Sequence, residues 1–580
     1  MKKKYFGCIC ALILSLAVFA SCSGTPSGTG NNGGESGNNK GMITAKTLTV
    51  EELGEGFNAK YLPDTSSIRA LTGKIDVCLD FEGTQSGWQA LANEYMRLQG
   101  GGVQVNINTN IAGSQYADRL NTELKNSKTD WDIVEGNIGD YVTVKERTID
   151  MYPTIAAPNA YCGTGVNWNS VLKPEAYRTK EADNSGVSQI MNTEIMQTCW
   201  FINDVALRAA GEKGYMNADG DVDYPITWND LISLCDYMQQ AGYTNPLGIT
   251  LTSGSIESSQ FSWLLRVYGD YYYRQFYKYI MSGTFGTEWE NYDPTAEVVE
   301  NNAGFGYFHS KVLALLFNED NDVAYVGFQS DIYRDFISNL AKMKGYLISD
   351  VAVTEFSELR DKFETQSGGK SSPQILLDYQ GFGINYRKAA NDSFKLGWFD
   401  YPTMESEYVS DDTITRDIGG NGGFVSIINH IGDSAQNDLN KDFIKFVLSP
   451  YGQTIYYKGL AAAGQVPKGL STVKNELVVI PKEWSAFFDE SGETITFSGD
   501  VDANIFLTFG VRYSGGYTEV QKIIFDKWRG LLMTGLSSSQ TLTVDAFMSY
   551  WAEAVEKDIH SMTADYGWPN DVWTNPNYNI

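Results

Sequence analysis

The chain has 580 residues, 42% hydrophobic and 20% charged, enough to bury a large core, which excludes disorder, collagen and a small disulfide scaffold. Lys and Arg number 44 against 71 Asp and Glu; the net charge of −27 argues against a broad phosphate-tracking surface and so against nucleic acid as a partner. Aromatic residues reach 13%, more than a core strictly needs, and the walls of a ligand cleft are one place for the surplus.

Lys2, Lys3 and Lys4 precede an apolar run from Tyr5 to Ala20, a basic and then hydrophobic leader too short for a comfortable membrane span. Its ending, Ala20-Ser21-Cys22, resembles the bacterial lipoprotein signal, in which the cysteine is acylated and begins the mature chain; Phe19 stands where Leu is usual. Ordinary secretion with cleavage at an A-x-A-like site is the alternative. Two acyl chains suffice for stable anchoring. Loss of residues 1–21 removes three Lys and no acid, so the charge moves from −27 to −30. Residues 22–42, rich in Gly, Ser and Asn, are expected to form a flexible tether. Of seven cysteines, Cys78, Cys162, Cys199 and Cys235 lie in the body at spacings that match no zinc pattern. Buried free thiols are expected for them, with one or two disulfides as the alternative.

Lys74 to Phe81 alternates in the manner of a strand, and after a turn Trp88, Leu91, Ala92, Tyr95 and Met96 fall on one helical face. Val103–Ile107 is a second predicted strand, Tyr116–Leu124 a second helix and Trp131–Val134 a third strand. This β/α alternation predicts a parallel sheet with ligands at the carboxyl ends of its strands. Thr227 is a predicted N-cap for a helix opening at Trp228. Asp442–Val447 reads as helix that stops at Ser449-Pro450. Val520, Ile523, Ile524, Phe525, Trp528 and Leu531 form one late apolar stripe, and Val544, Phe547, Met548, Trp551 and Val555 another; both are expected in the core.

The order of these segments resembles extracellular solute-binding protein family 1 of the ABC importers, over most of residues 74–558. Lys74–Gly100 is similar to the family's opening strand, ligand loop and helix. Tyr116–Asp132 is similar to the helix that leads to a strand ending in an acidic turn. Gln197–Asp204 resembles its hinge-crossing strand, and Ala210-Gly211 with Thr227–Leu231 resembles an "aG…TWdEl" pattern. Gly419–Phe424 resembles the glycine-rich lead into a strand, and Ala463–Pro467 the "G.lP" turn. None is decisive alone; order and spacing together carry the resemblance. The chain is longer than typical members, and Tyr271–Asp322 reads as a Tyr-rich insertion.

The resemblance implies an α/β, two-lobe periplasmic-binding-protein-like (type II) fold with discontinuous lobes and a hinge. The expected division is 43–195 for the first lobe, 196–390 for the second, 391–450 for a return to the first, and 451–580 for the second lobe and C-terminal helices. The resemblance also implies an extracytoplasmic monomer that does no covalent chemistry. It would close on a carbohydrate, an oligosaccharide given the enlarged body, and deliver it to an ABC permease with its ATPase. A lipid anchor would hold it to the membrane.

Sugars present C–H faces to aromatic rings and hydroxyls to polar groups, so a saccharide site needs both. Carried onto this sequence, the first lobe would contribute Glu82, Gln85 and Trp88 after the first strand, and Glu135 and Asn137 after the third. In the second lobe, Trp263 resembles an aromatic helix start that stacks on sugar in the maltose-binding branch. Tyr379 and Phe382 follow the strand Ile375–Leu377, where relatives often carry a Trp. Asn421, in a glycine run that lets backbone approach a ligand, and Arg512, a fork donor, complete the set. For each the alternative is structural: a solvated turn, a core helix face or a surface ion pair. Trp228 is expected to pack the lobe.

Asn217, Asp219, Asp221 and Asp223 place oxygens at alternate positions around Gly220, like the middle of a calcium loop, but Tyr215 and Ile226 stand where the first and last acids belong. Calcium is therefore the one candidate cofactor, against an acidic surface turn. Gly369-Lys370-Ser371 lacks the first glycine of a phosphate loop, since Glu364 stands there, and His309, His430 and His560 fall in unrelated contexts. A glycoside hydrolase, which also wants aromatics and paired carboxylates, and a lipid-anchored adhesin are the rival functions.

Overall fold

The computed structural model describes residues 41–79, 82–109, 122–126, 129–135, 147–173, 191–251, 260–276, 329–348, 354–390, 394–417, 421–467, 469–482 and 526–550, with isolated positions between them. Met42–Ile580 forms one unit built on two sheets. In the first, six strands run in the order β10-β4-β9-β3-β1-β2: β1 Gly73–Cys78, β2 Val103–Asn108, β3 Ile133–Glu135, β4 Met191–Met196, β9 Asn421–Ile427 and β10 Gly469–Ser471. The second has the order β6-β7-β5-β8: β5 Thr198–Asn203, β6 Leu247–Gly248, β7 Ile375–Tyr379 and β8 Leu396–Phe399. The two sheets are the centres of two lobes.

The three predicted opening strands form and pair in parallel, β1 against both β2 and β3. The sheet as a whole is mixed, however. β3 pairs antiparallel with β9, β9 with β4, and β4 with β10. The purely parallel expectation came from local β/α alternation, whereas β9 and β10 arrive after the excursion into the second sheet and enter from the other direction.

Helix Gln85–Leu98 buries Trp88, Leu91, Ala92 and Tyr95 of the predicted face against the first sheet and leaves Met96 half-buried. Its partner, helix Pro450–Ala463, approaches closely at two glycines. A Cβ on Gly87 would stand 2.5 Å from the Tyr456 ring, and one on Gly459 would stand 2.6 Å from Ala90 Cβ. In the second lobe Thr227 caps helix Trp228–Gln240 with a full capping box: Asp230 N–H donates to Thr227 Oγ1 and Thr227 N–H to Asp230 Oδ2. Trp228 is wholly buried, with its indole N–H on the Asn339 carbonyl at 2.7 Å, and so packs the lobe as expected. Among the described cysteines, Cys78, Cys162, Cys199 and Cys235 are all buried free thiols.

Sheet membership redraws the expected lobe boundaries. β8 lies after residue 391 yet pairs with β5, so the return to the first lobe falls between Asp417 and Asn421. Helix Pro450–Ala463 and β10 pack on the first lobe, not the second. Trp484 still sits against Tyr457 of the first lobe, and the next described stretch, with Trp528 against Phe261, is back in the second. Of the described residues of the two late apolar stripes, Trp528, Leu531, Phe547 and Met548 are buried, and Val544 is half-buried against them.

The Tyr-rich insertion also begins differently from its expectation. Tyr271, Tyr272 and Tyr273 are the last residues of helix Gln260–Tyr273 and are buried. Their hydroxyls donate to the carbonyl of Met404, the carboxylate of Asp335 and the carbonyl of Val326. Consecutive tyrosines looked like surplus in the sequence because each hydroxyl finds its acceptor on a distant segment. Residues 280–313 lie outside the described residues.

The same helix carries a fully buried charge cluster. Arg416 holds the Asp270 carboxylate through Nε at 2.9 Å and through Nη2, and Arg274 Nη2 lies 3.0 Å from the same carboxylate. Removing the acid that these two buried guanidiniums share weakens the compensation of their charge. Asp270→Asn is expected to cost about 3–5 kcal/mol, read as a lower urea midpoint with unchanged slope.

Candidate functional site

Strand directions locate the site. β4 and β5 are separated only by Gln197, so one extended segment leaves the first sheet and enters the second. β7 runs antiparallel to β5 and ends at this crossing, with Tyr379 opposite Thr198 in register. β6, parallel to β7, ends on the same side. In the first sheet β9 starts near the crossing, at Asn421 opposite Ile195, and β3 runs antiparallel to it, ending at Glu135 opposite Val425. At roughly 3.3 Å per residue, Val425 is about 13 Å along β9 from Asn421. The carboxyl ends of the parallel strands of both sheets therefore face the crossing, the position at which open α/β sheets bind ligands.

The crossing is held by side chains as well as backbone. Gln380 N–H donates to the Gln197 carbonyl at 2.9 Å. Thr198 gives both its N–H and its hydroxyl to the Asp417 carboxylate, at 2.7 and 2.6 Å, and its hydroxyl also lies 2.7 Å from Tyr401 Oη. Asp417 precedes the second crossing, so one carboxylate ties the two connections together.

At the hinge end of β7 three of the expected site residues come together. The Trp263 and Tyr379 rings are 4.8 Å apart, and Tyr379 and Phe382 are 6.2 Å apart. Phe356, which the sequence reading did not single out, closes the group at 5.7 Å from Trp263 and 6.0 Å from Tyr379. Trp263 is 7% exposed, while Tyr379 and Phe382 are half-buried, so the ledge shows its Tyr and Phe rings more than its Trp. Gln260 organises the start of this helix. Its side-chain oxygen accepts from Thr250 N–H at 2.8 Å and its amide donates to the Leu377 carbonyl, tying the end of β6 to β7.

Beneath the ledge, Asp378 is fully buried. It accepts a two-pronged hydrogen bond from Arg360 Nε and Nη2, at 2.8 and 2.7 Å, and a further one from the Tyr386 hydroxyl. Burial by itself would lower the Arg360 pKa, but the Asp378 charge and hydrogen bonds outweigh it and hold the pKa up. Burial, then the Asp378 charge, pushes the Tyr386 phenol well above its ordinary range, so the tyrosine stays a donor.

From the first lobe, Glu135 ends β3 half-buried. Gly423 lies against it: a Cβ there would stand 3.7 Å from Glu135 Oε1 and only 2.7 Å from Thr193 Oγ1. The glycine therefore keeps room for both polar side chains. Glu194, which neighbours the β4–β9 register shift, is buried and accepts from the Tyr456 hydroxyl. Gly423 belongs to the glycine-rich run that the sequence singled out, whereas Glu194 carried no signal there, because its setting depends on pairing between residues some 230 positions apart. Gln85 is the first residue of helix Gln85–Leu98, half-buried; the neighbouring Ser86 N–H is fixed by Gln465 Oε1 at 3.0 Å.

Other expectations stand differently. Trp88 is 3% exposed and packed in the core, so it offers no platform. The helix turns its indole inward along with Leu91 and Tyr95, the face that the apolar spacing dictates. Glu82 opens a single 3-10 turn and Asn421 opens β9 as a paired strand residue, not a tight turn, but the side chains of both lie outside the described residues. Asn137, Arg512 and Cys22 also lie outside them.

The calcium-like segment is a turn closed on itself. Asn217 Oδ1 accepts from the N–H groups of Asp219 and Asp221, at 3.2 and 3.1 Å, and its amide donates to the Tyr224 carbonyl. The side chains of Asp219, Asp221 and Asp223 are exposed, and Asp230 holds the loop by accepting from Ala218, Ile226 and Thr227. Among the described residues no group of three His, Cys, Asp or Glu could hold a metal ion.

No family model matches the sequence, and no curated protein matches it. Solved structures do match by fold. A periplasmic solute-binding protein of Pectobacterium atrosepticum aligns with a TM-score of 0.53 and 12% identity, covering 85% of this chain and 100% of its own. The maltose-bound MalE3 of T. maritima aligns at 0.52 and 13%, covering 83% of this chain and 99% of its own. A chitin oligosaccharide binding protein aligns at 0.52 and 12%, covering 84% and 99%. The chain thus has the two-lobed α/β fold of the periplasmic binding proteins. No described helix is long and apolar enough to cross a membrane.

Two outcomes test this geometry. Asp417→Ala is expected to destabilise by about 1–3 kcal/mol, since the Thr198 N–H and hydroxyl lose their shared acceptor; chemical denaturation reads it. Calcium added to chelator-treated protein is expected to leave Tm unchanged, because Asn217 already spends its oxygen on backbone; a rise of several degrees would contradict that.

Proposed function

We propose that the chain is the lipid-anchored, extracytoplasmic solute receptor of an ABC importer, and that it captures a carbohydrate between its lobes. The observation that carries the reading is the Trp263–Tyr379–Phe382 ledge at the hinge end of β7, with Glu135 at the carboxyl end of β3 in the other sheet. Rings of this kind take the C–H face of a sugar, and a carboxylate takes its hydroxyls. The maltose-bound and chitin oligosaccharide binding neighbours support the ligand class. An oligosaccharide fits an extended ledge better than a single ring would.

Function follows from differential affinity. A ligand that touches the ledge from one lobe and Glu135 from the other makes both sets of contacts only when the lobes approach, so it favours the closed form by the contacts added on closure. The Thr198–Asp417 clamp holds the crossing while the lobes move. A permease with its ATPase would then receive the closed form. The basic leader, Cys22 and the Gly/Ser/Asn tract support an acylated anchor on a tether. The reading requires no turnover of the ligand.

The first test is thermal unfolding of the purified protein against mono- and oligosaccharides, with product analysis for every hit. A sugar present far above its Kd raises Tm if it binds only the folded state. A shift with intact sugar supports the receptor; a shift with cleaved sugar replaces it with a glycosidase. For the ligand so found, Phe382→Ala is expected to weaken binding by about 1–2 kcal/mol, roughly 5- to 30-fold, by titration calorimetry. Cys22→Ala is expected to abolish incorporation of labelled fatty acid in cells, and retained label would exclude the anchor.

A further inference from the structure

The ledge has a supporting structure that none of the candidate contacts accounts for. Helix Phe356–Thr365 places Phe356 and Arg360 one turn apart on one face. The Arg360 guanidinium carbon lies 3.7 Å from the centre of the Phe356 ring and 3.8 Å from that of Phe382, so the planar cation is filled in between two rings. It also lies 5.7 Å from the Tyr379 ring. The plane cannot rotate, because Nε and Nη2 both donate to the buried Asp378 carboxylate. That carboxylate is itself oriented by Tyr379 N–H at 2.6 Å and by the Tyr386 hydroxyl.

Phe382 needs such support. It ends the short turn Gln380–Phe382, half-buried, and a phenyl ring has no polar atom with which to fix its own tilt. Tyr379 and Tyr386 flank it only at 6.2 and 6.5 Å, with tilted rings. The Arg360 guanidinium carbon, 3.8 Å from the Phe382 ring centre, lies nearer than either of those ring centres. We propose that Arg360 is the positioning residue of the ledge: clamped by Asp378 and stacked between Phe356 and Phe382, it sets the tilt of Phe382 and so which sugars the ledge accepts. The proposal rests on the carbohydrate reading of the ledge. In this scheme Arg360 acts through Phe382, with its Nε and Nη2 held by Asp378. Lysine keeps the charge but has neither the fork nor the flat face, so Arg360→Lys separates geometry from charge.

The experiment uses the full chain, as wild type, Arg360→Lys, Phe356→Leu and Phe382→Ala, with maltose, raffinose and a chitin trisaccharide as probes in titration calorimetry. A parallel set carries 4-fluorophenylalanine at position 382 for fluorine NMR without sugar. Arg360→Lys is expected to lose about tenfold in affinity for the preferred probe and to narrow its preference over the others, at unchanged circular dichroism. Phe356→Leu, which leaves the Arg360–Asp378 pair intact, should do the same more weakly. In the sugar-free chain, Arg360→Lys should shift and sharpen the fluorine signal as the ring gains freedom.

Unchanged affinity and preference in Arg360→Lys, with Phe382→Ala weakened, would overturn the positioning role and leave the receptor reading standing. If Phe382→Ala is also unchanged, or no probe binds the wild type, the ledge reading fails in its own right. A fluorine signal indifferent to Arg360→Lys overturns the positioning role whatever the sugars do. Should Arg360→Lys fold poorly, because Asp378 is left buried, Phe356→Leu decides alone: an unmoved signal there overturns it too.

Discussion

One residue separates the two sheets. Between Met196 and Thr198 the chain hands its backbone pairing from β9 and β10 to β7 and β8, and an extended segment cannot do this without orphaning polar groups unless partners wait at the junction. Gln380 N–H meets the Gln197 carbonyl, and the Asp417 carboxylate meets Thr198. The rest of the arrangement depends on this junction. Because β5 and β9 both begin near there, the strands antiparallel to them run toward it, and their carboxyl ends face one place.

Charge inside this acidic protein is placed with the same economy. Two buried carboxylates of the second lobe, Asp270 and Asp378, are each met by arginine forks, a geometry that lysine cannot reproduce. Both clusters border elements of the candidate site. Arg416 adjoins Asp417 of the hinge, and Asp270 shares its helix with Trp263, two turns away. Asp378 precedes Tyr379 in β7. The aromatic ledge and the crossing are thus both built on desolvated, fully oriented ion pairs. Such pairs add little net stability, but they are costly to break and so hold geometry.

The pattern of aromatic residues divides in two. Trp88, Trp228 and Tyr271–Tyr273 are core, their rings turned inward by helix periodicity, and the indole N–H of Trp228 and the three tyrosine hydroxyls meet distant acceptors. Trp263, Tyr379, Phe382 and Phe356 gather at a strand end instead. Composition alone reported the surplus of rings without dividing it.

Local physics made much of the chain legible from its sequence. Alternation identified β1 and β2, the 3.6-residue period identified the Trp88 face, and Thr227 announced a capped helix, since each of these depends on neighbours within a few residues. Ordered motifs pointed to the two-lobed fold and to Trp263, Tyr379 and Phe382. Tertiary structure alone decided what depends on distant partners. It made the first sheet mixed, moved the lobe boundary to Asp417–Asn421, turned Trp88 from platform to core and closed the Asn217 turn on its own backbone. It also brought Phe356, Arg360 and Asp378 under the ledge. A fork that joins residues 18 positions apart across a helix and a strand has no signature in either segment, because the interaction exists only once both are packed.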